Sequence, residues 1–222
     1  MINRPLPWLD PFVDRTRKFV LIFVLMITQR IRIQDSTIDD SVLQVAVTAI
    51  QNGNIISAPT ETFYVLCADP FNLRVVEELF LITKRKEWKP LLLLADSIEQ
   101  VEGMTSGLRD LFYEIAEQFW PGPLTLILPA ATHVPLKITG GTGTVGVRIP
   151  DSKIVRTLIR SLDSPVTGTS ANLSAHPVCS TADDVLIQLG GKIDLILDDE
   201  VTDLGAFRDL IARTKVDLWM KK

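Results

Sequence analysis

The chain has 222 residues, of which 46% are apolar, and a formal net charge of -4 at pH 7. That length suits one α/β domain, or a domain of roughly 150 to 200 residues with appendages. The acidic balance argues against a strongly basic nucleic-acid binder, although a local basic groove stays open. Two cysteines, Cys67 and Cys179, and two histidines, His133 and His176, form no pattern of zinc ligands. A cytoplasmic protein with reduced thiols and no structural metal is therefore expected.

The N-terminal region contains an unbroken apolar run from Phe19 to Ile27 that follows a basic stretch. A bilayer span needs ~20 apolar residues, and no small-residue cleavage site follows this run. Three interpretations stay open: a buried strand, a membrane-seeking tail, or upstream sequence ahead of a start at Met26. We favour the third and expect no membrane partner.

A regular alternation of helical and extended patterns begins at Thr37. Helical patterns run from Thr37 to Gly53 and from Asn72, Ser97, Asp151 and Thr181. Short apolar strands are predicted at 55–58, 91–95, 124–128, 145–149 and 193–197. The alternation predicts a three-layer α/β domain with a largely continuous sheet. We place an N-terminal extension at 1–33, the domain at 34–200 and a divergent tail at 201–222.

The segment from Ser164 to Thr181 is rich in small hydroxyl and amide residues. Its polar members after the strand signal at Val166 include Thr167, Thr169, Ser170, Asn172 and Ser174. Small side chains leave backbone N–H groups open, and a loop between strand and helix is a common anion site in α/β proteins. The alternative is an Asx or Ser/Thr turn that only caps the helix near Thr181.

Two further polar clusters lie in the connections between predicted elements. They are Thr60-Glu61-Thr62 with Tyr64, and the basic segment Lys84–Lys89. Arg148 lies inside a predicted strand, where a charge has to face solvent, a partner or a ligand. Cations, hydroxyls and amides without a histidine base or a cysteine triad suit the binding and polarisation of phosphates.

Each cluster also has a simpler explanation. The basic segment is typical of a solvated helix end whose charges complement the helix dipole. Glu61 can bind a substrate amine or cap a turn. Cys67 follows an apolar run and is predicted to be a core residue. A nucleophile pair of Ser170 and His176 is rejected, because no glycine-flanked elbow surrounds the serine.

Taken together, five segments resemble the YrdC/Sua5/TsaC family, the threonylcarbamoyl-AMP synthases of tRNA modification. They are Pro59-Thr-Glu-Thr-Phe-Tyr, Lys89-Pro-Leu, Phe119-Trp-Pro-Gly-Pro-Leu-Thr, Thr144-Val-Gly-Val-Arg-Ile-Pro and Thr169-Ser-Ala-Asn-Leu-Ser. They follow the family order over about residues 35–200, and as a set they are highly specific. The resemblance implies the short single-domain form, with a twisted mixed sheet flanked by helices and an open cationic cleft.

The resemblance implies that L-threonine takes up bicarbonate or CO₂ on its amine and that the resulting carbamate attacks the α-phosphate of ATP. Threonylcarbamoyl-AMP and pyrophosphate leave, for the t6A37 modification of tRNA. Mg²⁺ is the implied cofactor, bound through the ATP phosphates without a direct protein ligand. The implied partners are a downstream complex that transfers the threonylcarbamoyl group to tRNA and, weakly, RNA itself.

The same resemblance assigns roles to the matching residues. Threonine is expected to be held by Thr60, Glu61, Thr62 and Tyr64. The expected ATP-binding residues are Arg85, Lys89, Arg148, Thr169, Ser170 and Asn172. Within that second set, Arg85, Ser170 and Asn172 are the expected catalytic residues.

Several positions depart from the family pattern. In the ungapped register, Thr83 occupies the lysine position of a Lys-x-Arg pair that ends at Arg85, unless a one-residue slip places Lys84 there. The other departures are Val65 and Ala175, which replace glycines, and Gly205-Ala-Phe-Arg208-Asp209, which replaces a segment with two hydroxyl residues. These changes open a second hypothesis, a non-catalytic nucleotide- or RNA-binding paralogue that kept the cleft.

Overall fold

The computed structural model describes residues 27–34 and 37–199. Met26, the apolar residues before Ile27, and the tail from residue 200, including Arg208 and Asp209, lie outside the described residues. No helix in the described ranges is both long enough and apolar enough to cross a membrane.

Strands and helices alternate through most of the described chain. The strands are β1 (Gln29–Arg32), β2 (Ile56–Pro59), β3 (Tyr64–Cys67), β4 (Leu92–Leu94), β5 (Leu126–Pro129), β6 (Thr144–Arg148), β7 (Val166–Thr167), β8 (Thr169–Ser170) and β9 (Leu195–Asp198). The helices are α1 (Asp40–Gln51), α2 (Leu73–Thr83), α3 (Ile98–Met104), α4 (Asp110–Phe119), α5 (Leu136–Thr139), α6 (Lys153–Leu162) and α7 (Ala182–Leu189). The predicted α/β class is confirmed.

The strands form two mixed sheets, whereas the sequence predicted one largely continuous sheet. The first sheet has the order β1-β9-β2-β3-β8, and the second has the order β5-β6-β4-β7. In the first, β9 lies parallel to β1 and β2, while β2–β3 and β3–β8 are antiparallel. In the second, β4 lies parallel to β6, and the β5–β6 and β4–β7 pairs are antiparallel.

The chain crosses from the second sheet to the first at Gly168. A Cβ atom there would lie 2.6 Å from Leu94 Cγ, so a side chain at this position would displace a core residue. On the β7 side, Thr167 N–H donates to the Ala68 carbonyl at 3.0 Å and Thr167 Oγ1 donates to the Leu66 carbonyl at 2.9 Å. The two sheets therefore adjoin where β7 meets the end of β3, although they do not form one ladder.

Helices cover both faces of the first sheet, as expected for three layers. One buried cluster joins α1 and α6 to one face, and another joins α2 and α7 to the opposite face. A third cluster joins the second sheet to α3, α4 and α5. Cys67 and Cys179 are fully buried, and burial raises the pKa of each thiol to about 12. The prediction of Cys67 as a core residue is confirmed.

β1 lies in the segment that the sequence analysis assigned to an N-terminal extension. Residues 29–32 pair in register with 195–198, and Ile33 N–H donates to the Asp198 carbonyl at 2.7 Å. The predicted boundary at residue 34 therefore separates β1 from the sheet to which it belongs. β1 is an edge strand whose side chains are mostly exposed, so it has too few apolar residues to be recognised by pattern.

Candidate functional site

The turn between β2 and β3 is held by the hydroxyl group of Thr60. Thr60 Oγ1 donates to the Phe63 carbonyl at 2.7 Å and accepts the backbone N–H groups of Thr62 and Phe63 at 3.2 and 3.3 Å. Thr60 is buried, so its hydroxyl serves the turn and is shielded from solvent. The turn thereby presents Glu61 and Thr62 without needing Glu61 as its cap.

Arg148, at the end of β6, binds this turn from the second sheet. Its guanidinium donates to Thr62 Oγ1 at 3.3 Å and to the Gly122 carbonyl at 3.1 Å, and it forms an ion pair with Glu61. Only 2% of the Arg148 side chain is exposed. Burial lowers the pKa of Arg148, and the Glu61 carboxylate opposes that shift. The charge inside the strand therefore faces a partner within the protein.

Glu61 uses only one of its carboxylate oxygens within the described ranges. Oε1 accepts from Arg148, whereas Oε2 is buried and has no hydrogen-bond partner there. The Glu61 side chain as a whole is 22% exposed, so the turn borders solvent while Oε2 itself is buried. A buried carboxylate oxygen without a donor is costly, which makes Oε2 a candidate acceptor for an ammonium group.

The Tyr64 side chain points into the core, and its hydroxyl group is already hydrogen-bonded within the protein. Its side chain is fully buried in the cluster beneath α2 and α7, and its OH group donates to the Asp199 carbonyl at 2.6 Å. Burial raises the pKa of Tyr64 to about 12. Among the described residues, the structure gives Tyr64 no hydrogen bond to Glu61 or Arg148. Of the four predicted threonine-binding residues, three share the turn and the fourth supports it from the core.

The end of α2 sets the directions of Thr83 and Lys84. Thr83 is 3% exposed, and its hydroxyl donates to the Leu79 carbonyl at 2.6 Å. Lys84 ends the helix in the left-handed conformation, with φ +53°, and its side chain is exposed. Lys84 therefore occupies the exposed turn position and not the buried position of Thr83. Which of the two residues corresponds to the family's lysine stays a prediction.

Arg85 is half-buried and only partly hydrogen-bonded. Its Nη2 donates to the Pro90 carbonyl at 2.6 Å, whereas Nε is buried and has no hydrogen-bond partner in the described part of the chain. Burial lowers the pKa of this guanidinium. A desolvated guanidinium with an unused donor is well suited to an anion, so this residue differs from a fully solvated helix end.

Lys89 stands apart from Arg85 on the surface. Its Nζ lies 5.8 Å from the centre of the Trp88 ring, and Lys86 Nζ lies 5.7 Å from the same ring. Both lysines and Trp88 are exposed. Lys89 is thus exposed to solvent, and among the described residues its side chain has no hydrogen bond to the loop after β8.

The loop after β8 is folded around Asn172. Its Nδ2 donates to the carbonyls of Leu173 and His176 at 2.9 and 2.8 Å. Its Oδ1 is buried without a hydrogen-bond partner in the described ranges. Ala175 has φ +68°, a conformation suited to glycine, which the resembled family carries there. The segment ends at Thr181, which caps α7 in a capping box with Asp184.

Gln188, on α7, holds the same loop and was not identified from the sequence. Its Oε1 accepts the Leu173 N–H at 3.0 Å, and its Nε2 donates to the Pro177 carbonyl at 3.1 Å and to Cys179 Sγ at 3.4 Å. A glutamine on a helix carries no pattern of its own, because its partners come from a loop earlier in the chain. The sequence contained no signal for this role.

Backbone hydrogen bonds bring the predicted clusters to adjoining positions. Ser174 N–H donates to the Thr83 carbonyl at 2.7 Å, which joins the loop to the end of α2. Ala171 N–H donates to the Tyr64 carbonyl at 2.8 Å, and Thr169 and Ser170 pair with β3. β3 follows directly after the Thr60 turn. One region at the edge of the first sheet is therefore bordered by three segments: this turn, the basic segment Lys84–Lys89 and the loop after β8.

Comparison with known proteins identifies the family to which the chain belongs. The Sua5/YciO/YrdC domain model, described as telomere recombination, matches residues 48–215. The threonylcarbamoyl-AMP synthase of Pyrococcus abyssi (strain GE5 / Orsay) is 35% identical over 178 residues, which are 80% of this chain and 52% of that protein. The threonylcarbamoyl-AMP synthase of Vibrio vulnificus (strain YJ016) is 36% identical over 165 residues, which are 72% of this chain and 87% of that protein.

Solved structures agree with the sequence relatives. The P. abyssi Sua5 structure complexed with L-threonine has a TM-score of 0.76 at 35% identity, covering 81% of this chain and 52% of that one. Escherichia coli YciO has a TM-score of 0.73 at 20% identity, covering 79% and 85%, and this likeness shows the fold alone.

The two adjoining mixed sheets and the polar loops at their edge define the α/β class to which these structures belong. The chain belongs to the Sua5/YciO/YrdC family. It spans about half the length of the P. abyssi relative, 52%, and most of the V. vulnificus relative, 87%. The roles of the individual site residues stay predictions.

Proposed function

We propose that this chain is an L-threonylcarbamoyladenylate synthase, which forms threonylcarbamoyl-AMP and pyrophosphate from L-threonine, bicarbonate or CO₂, and ATP. The observation that carries the proposal is a set of three buried polar atoms without hydrogen-bond partners in the described ranges. They are Glu61 Oε2, Arg85 Nε and Asn172 Oδ1. They lie on three segments that adjoin at one sheet edge, and relatives of that name at 35% and 36% identity support the same function.

Glu61 is proposed to accept a hydrogen bond from the amino group of L-threonine through Oε2. Arg148 holds Oε1, so it orients the carboxylate and leaves Oε2 for the substrate. Thr60 and Thr62 act mainly through the shape of the turn, since their hydroxyls bond to each other at 2.9 Å. A turn that is rigid before the substrate arrives reduces the entropy lost on binding.

The reaction proposed for this site has two covalent steps. The neutral amino group of L-threonine attacks the carbon of CO₂, and the nitrogen loses one proton to solvent, which gives a carbamate. A carbamate oxygen then attacks the α-phosphorus of ATP, and the bond from that phosphorus to its bridging oxygen breaks. Pyrophosphate leaves with the electron pair of that bond. Such a displacement needs alignment and charge neutralisation more than a dedicated base, which agrees with the residues present.

On the nucleotide side, Arg85 and Asn172 are the residues with unused polar atoms. Arg85 is proposed to bind phosphate oxygens through Nε, and Ser170 and Asn172 to orient the nucleotide from the loop. Lys89, from the exposed basic segment, and Thr169, from β8, are proposed as further ATP-binding residues. Arg148 was also in the predicted ATP-binding set, but it is 2% exposed and pairs with Glu61, so we propose that it orients the turn instead. No group of three or more His, Cys, Asp or Glu side chains in the described part of the chain could hold a metal ion. Mg²⁺ is proposed to reach this site on the ATP phosphates, whose charge it would neutralise.

The proposed product passes, in the cytoplasm, to a complex that transfers the threonylcarbamoyl group to tRNA for t6A37. Weak contact with RNA is proposed for the exposed cations beside the site. They are Lys84, Lys86 and Lys89, and the exposed Trp88 ring lies among them. The partner complex and the RNA contact both depend on the proposed activity.

One observation favours a second candidate, a non-catalytic nucleotide- or RNA-binding paralogue. Thr83 stands at the lysine position of the resembled family, is 3% exposed, and bonds its own helix. The site therefore lacks one cation that the resemblance implies. Such a paralogue would bind ATP without forming pyrophosphate.

The deciding experiment measures pyrophosphate release by the full chain with Mg²⁺ and ATP. The proposal expects release only when both L-threonine and bicarbonate are present, because the nucleophile is made from the two. Arg85→Ala should reduce the rate, and Arg109→Ala, at the exposed N-cap residue of α4, should not. ATP binding without release under the complete conditions would select the paralogue. Equal release without threonine would contradict the synthase.

A further inference from the structure

A second basic pocket lies on the solvent side of α6, outside the site described above. Its volume is about 270 Å³. The residues that line it are Thr37, Ile38, Lys153, Arg156, Thr157 and Arg160. The four members from α6 recur at i, i+3, i+4 and i+7, so they share one face of the helix. The pocket is therefore built on a regular element.

The opposite face of α6 is anchored in the core. Its members there are Ile154, Val155, Leu158 and Ile159, each at most 1% exposed. Burial of four branched apolar side chains fixes the rotation of the helix. The basic face consequently points outward, and the directions in which its cationic side chains leave the helix are fixed.

The cations of the pocket keep unused hydrogen-bond donors. Arg156 Nε is buried without a hydrogen-bond partner in the described ranges, and the nearest carboxylate given for Arg156, Asp151, lies 3.7 Å from Nη2. That distance exceeds the ~2.7–2.9 Å of a charge-assisted hydrogen bond. Arg160 Nε bonds Asp96 Oδ2 at 3.0 Å, which uses one of its five donors. Lys153 has no ion pair among the described residues.

The size and chemistry of the pocket select the class of ligand. Two guanidinium groups, an ammonium group and a threonine hydroxyl suit an anion with several acceptor oxygens, and arginine matches phosphate in particular. The volume of about 270 Å³ accommodates a phosphate group and leaves room for an attached sugar.

We propose that this pocket binds a phosphate group, either free or as part of a nucleotide or an RNA backbone, at a site separate from the one surrounding Arg85 and Asn172. The proposal does not depend on the synthase activity, because no residue of this pocket belongs to that site.

The test is a titration of the ¹⁵N-labelled full chain, followed through its amide resonances. Inorganic phosphate is one probe, and a short single-stranded RNA is the other. Saturable shifts are expected at the amides of 153–160 and 37–38. Arg156→Gln should weaken that response roughly tenfold or more, because it removes a charge-assisted contact. Arg109→Gln, the same change at an exposed arginine with no ion pair among the described residues, should leave it unaltered.

The outcomes separate the sources of the phosphate. A response to inorganic phosphate that Arg156→Gln weakens supports a site for free phosphate or a nucleotide. A response only to RNA, weakened in the same way, supports a backbone site. No saturable response at α6 to either probe, or one that Arg156→Gln leaves unchanged, overturns the proposal. Pyrophosphate release by Arg156→Gln without added phosphate should match the wild type, and its loss would overturn the separation of the two sites.

Discussion

Replacing Glu61 with glutamine tests whether its ion pair with Arg148 holds the site together. Glu61→Gln keeps the size of the side chain and one carbonyl oxygen, but it removes the charge that Arg148 faces. Arg148 is 2% exposed and would retain only the Thr62 hydroxyl and the Gly122 carbonyl as unchanged partners. A buried guanidinium with neutral partners alone is poorly compensated for its lost hydration.

The expected loss of stability follows from the burial of the two groups. Removing one partner of a buried ion pair costs about 3–5 kcal/mol. Glu61 is 22% exposed and glutamine still accepts a hydrogen bond, so the expected loss in free energy of unfolding is about 2–3 kcal/mol. For a domain of about 150–250 residues, 1 kcal/mol corresponds to roughly 2–4 °C, so Tm should fall by about 4–12 °C.

The measurement is urea unfolding of the full chain, followed by far-UV circular dichroism. Glu78→Gln is the matched control, because Glu78 pairs with Arg74 on the surface at 3.6 Å and its loss should cost less than about 0.5 kcal/mol. The double variant Glu61→Gln/Arg148→Met should recover part of the loss, since no unpaired charge stays buried. If Glu61→Gln costs no more than Glu78→Gln, the pair does not stabilise the site and the reasoning is refuted.

Three further changes test the site and the domain boundary. Arg85→Ala should raise the KM for ATP or lower kcat severalfold, because charge-assisted contacts contribute ~1.5–3 kcal/mol, while Tm stays unchanged; unaltered kinetics would return this arginine to a solvated helix end. Thr83→Lys places an ammonium group at a position that is 3% exposed, so it should lower Tm; it should also lower the KM for ATP, by an amount equivalent to at most ~1–3 kcal/mol, if the longer side chain reaches the phosphates. Lys84→Gly should leave that KM unchanged and raise Tm, because glycine adopts φ +53° freely. A damaging Lys84→Gly with a neutral Thr83→Lys would instead support the slipped register. Deletion of residues 1–25 should leave a cooperatively folded chain by circular dichroism, because β1 begins at Gln29, and loss of cooperative unfolding would show that the removed segment is needed.

The helix and strand pattern was largely predictable because the buried elements are apolar with regular spacing. β1 was not predicted because it is an exposed edge strand with few apolar residues. Its position in the sheet depends on pairing with β9, which lies far along the chain. The chain passes between the two sheets at Gly168, which fits closely against Leu94, a contact between residues more than 70 positions apart in the sequence. Periodicity reports local structure and burial, and it contains no information on such pairings.

The residues of the candidate site were largely predictable from the sequence, but the contacts among them were not. The Thr60 turn, Arg85 and Asn172 were singled out because polar residues after strands and at helix ends are typical of ligand sites. The ion pair between Glu61 and Arg148 was not foreseen, since it joins the two sheets across 87 residues. Tyr64 was assigned by its neighbours in the motif, yet alternation along β3 turns it into the core with Leu66.

The direction of Thr83 decides how phosphate charge can be neutralised in the proposed synthase. Thr83 is turned inward and bonds Leu79, while Lys84 projects into solvent from a left-handed turn. Neither residue therefore supplies a desolvated cation beside Arg85. At physiological salt, ions in solution screen the charges of the exposed lysines nearby over roughly 8–10 Å. These lysines therefore attract a bound phosphate less strongly than a half-buried guanidinium does. Arg85 then has to carry the role that a lysine and an arginine share in the resembled family, with Mg²⁺ on the ATP supplying further positive charge. The fold is compatible with both hypotheses, and the sufficiency of this one arginine is what separates the synthase from the non-catalytic paralogue.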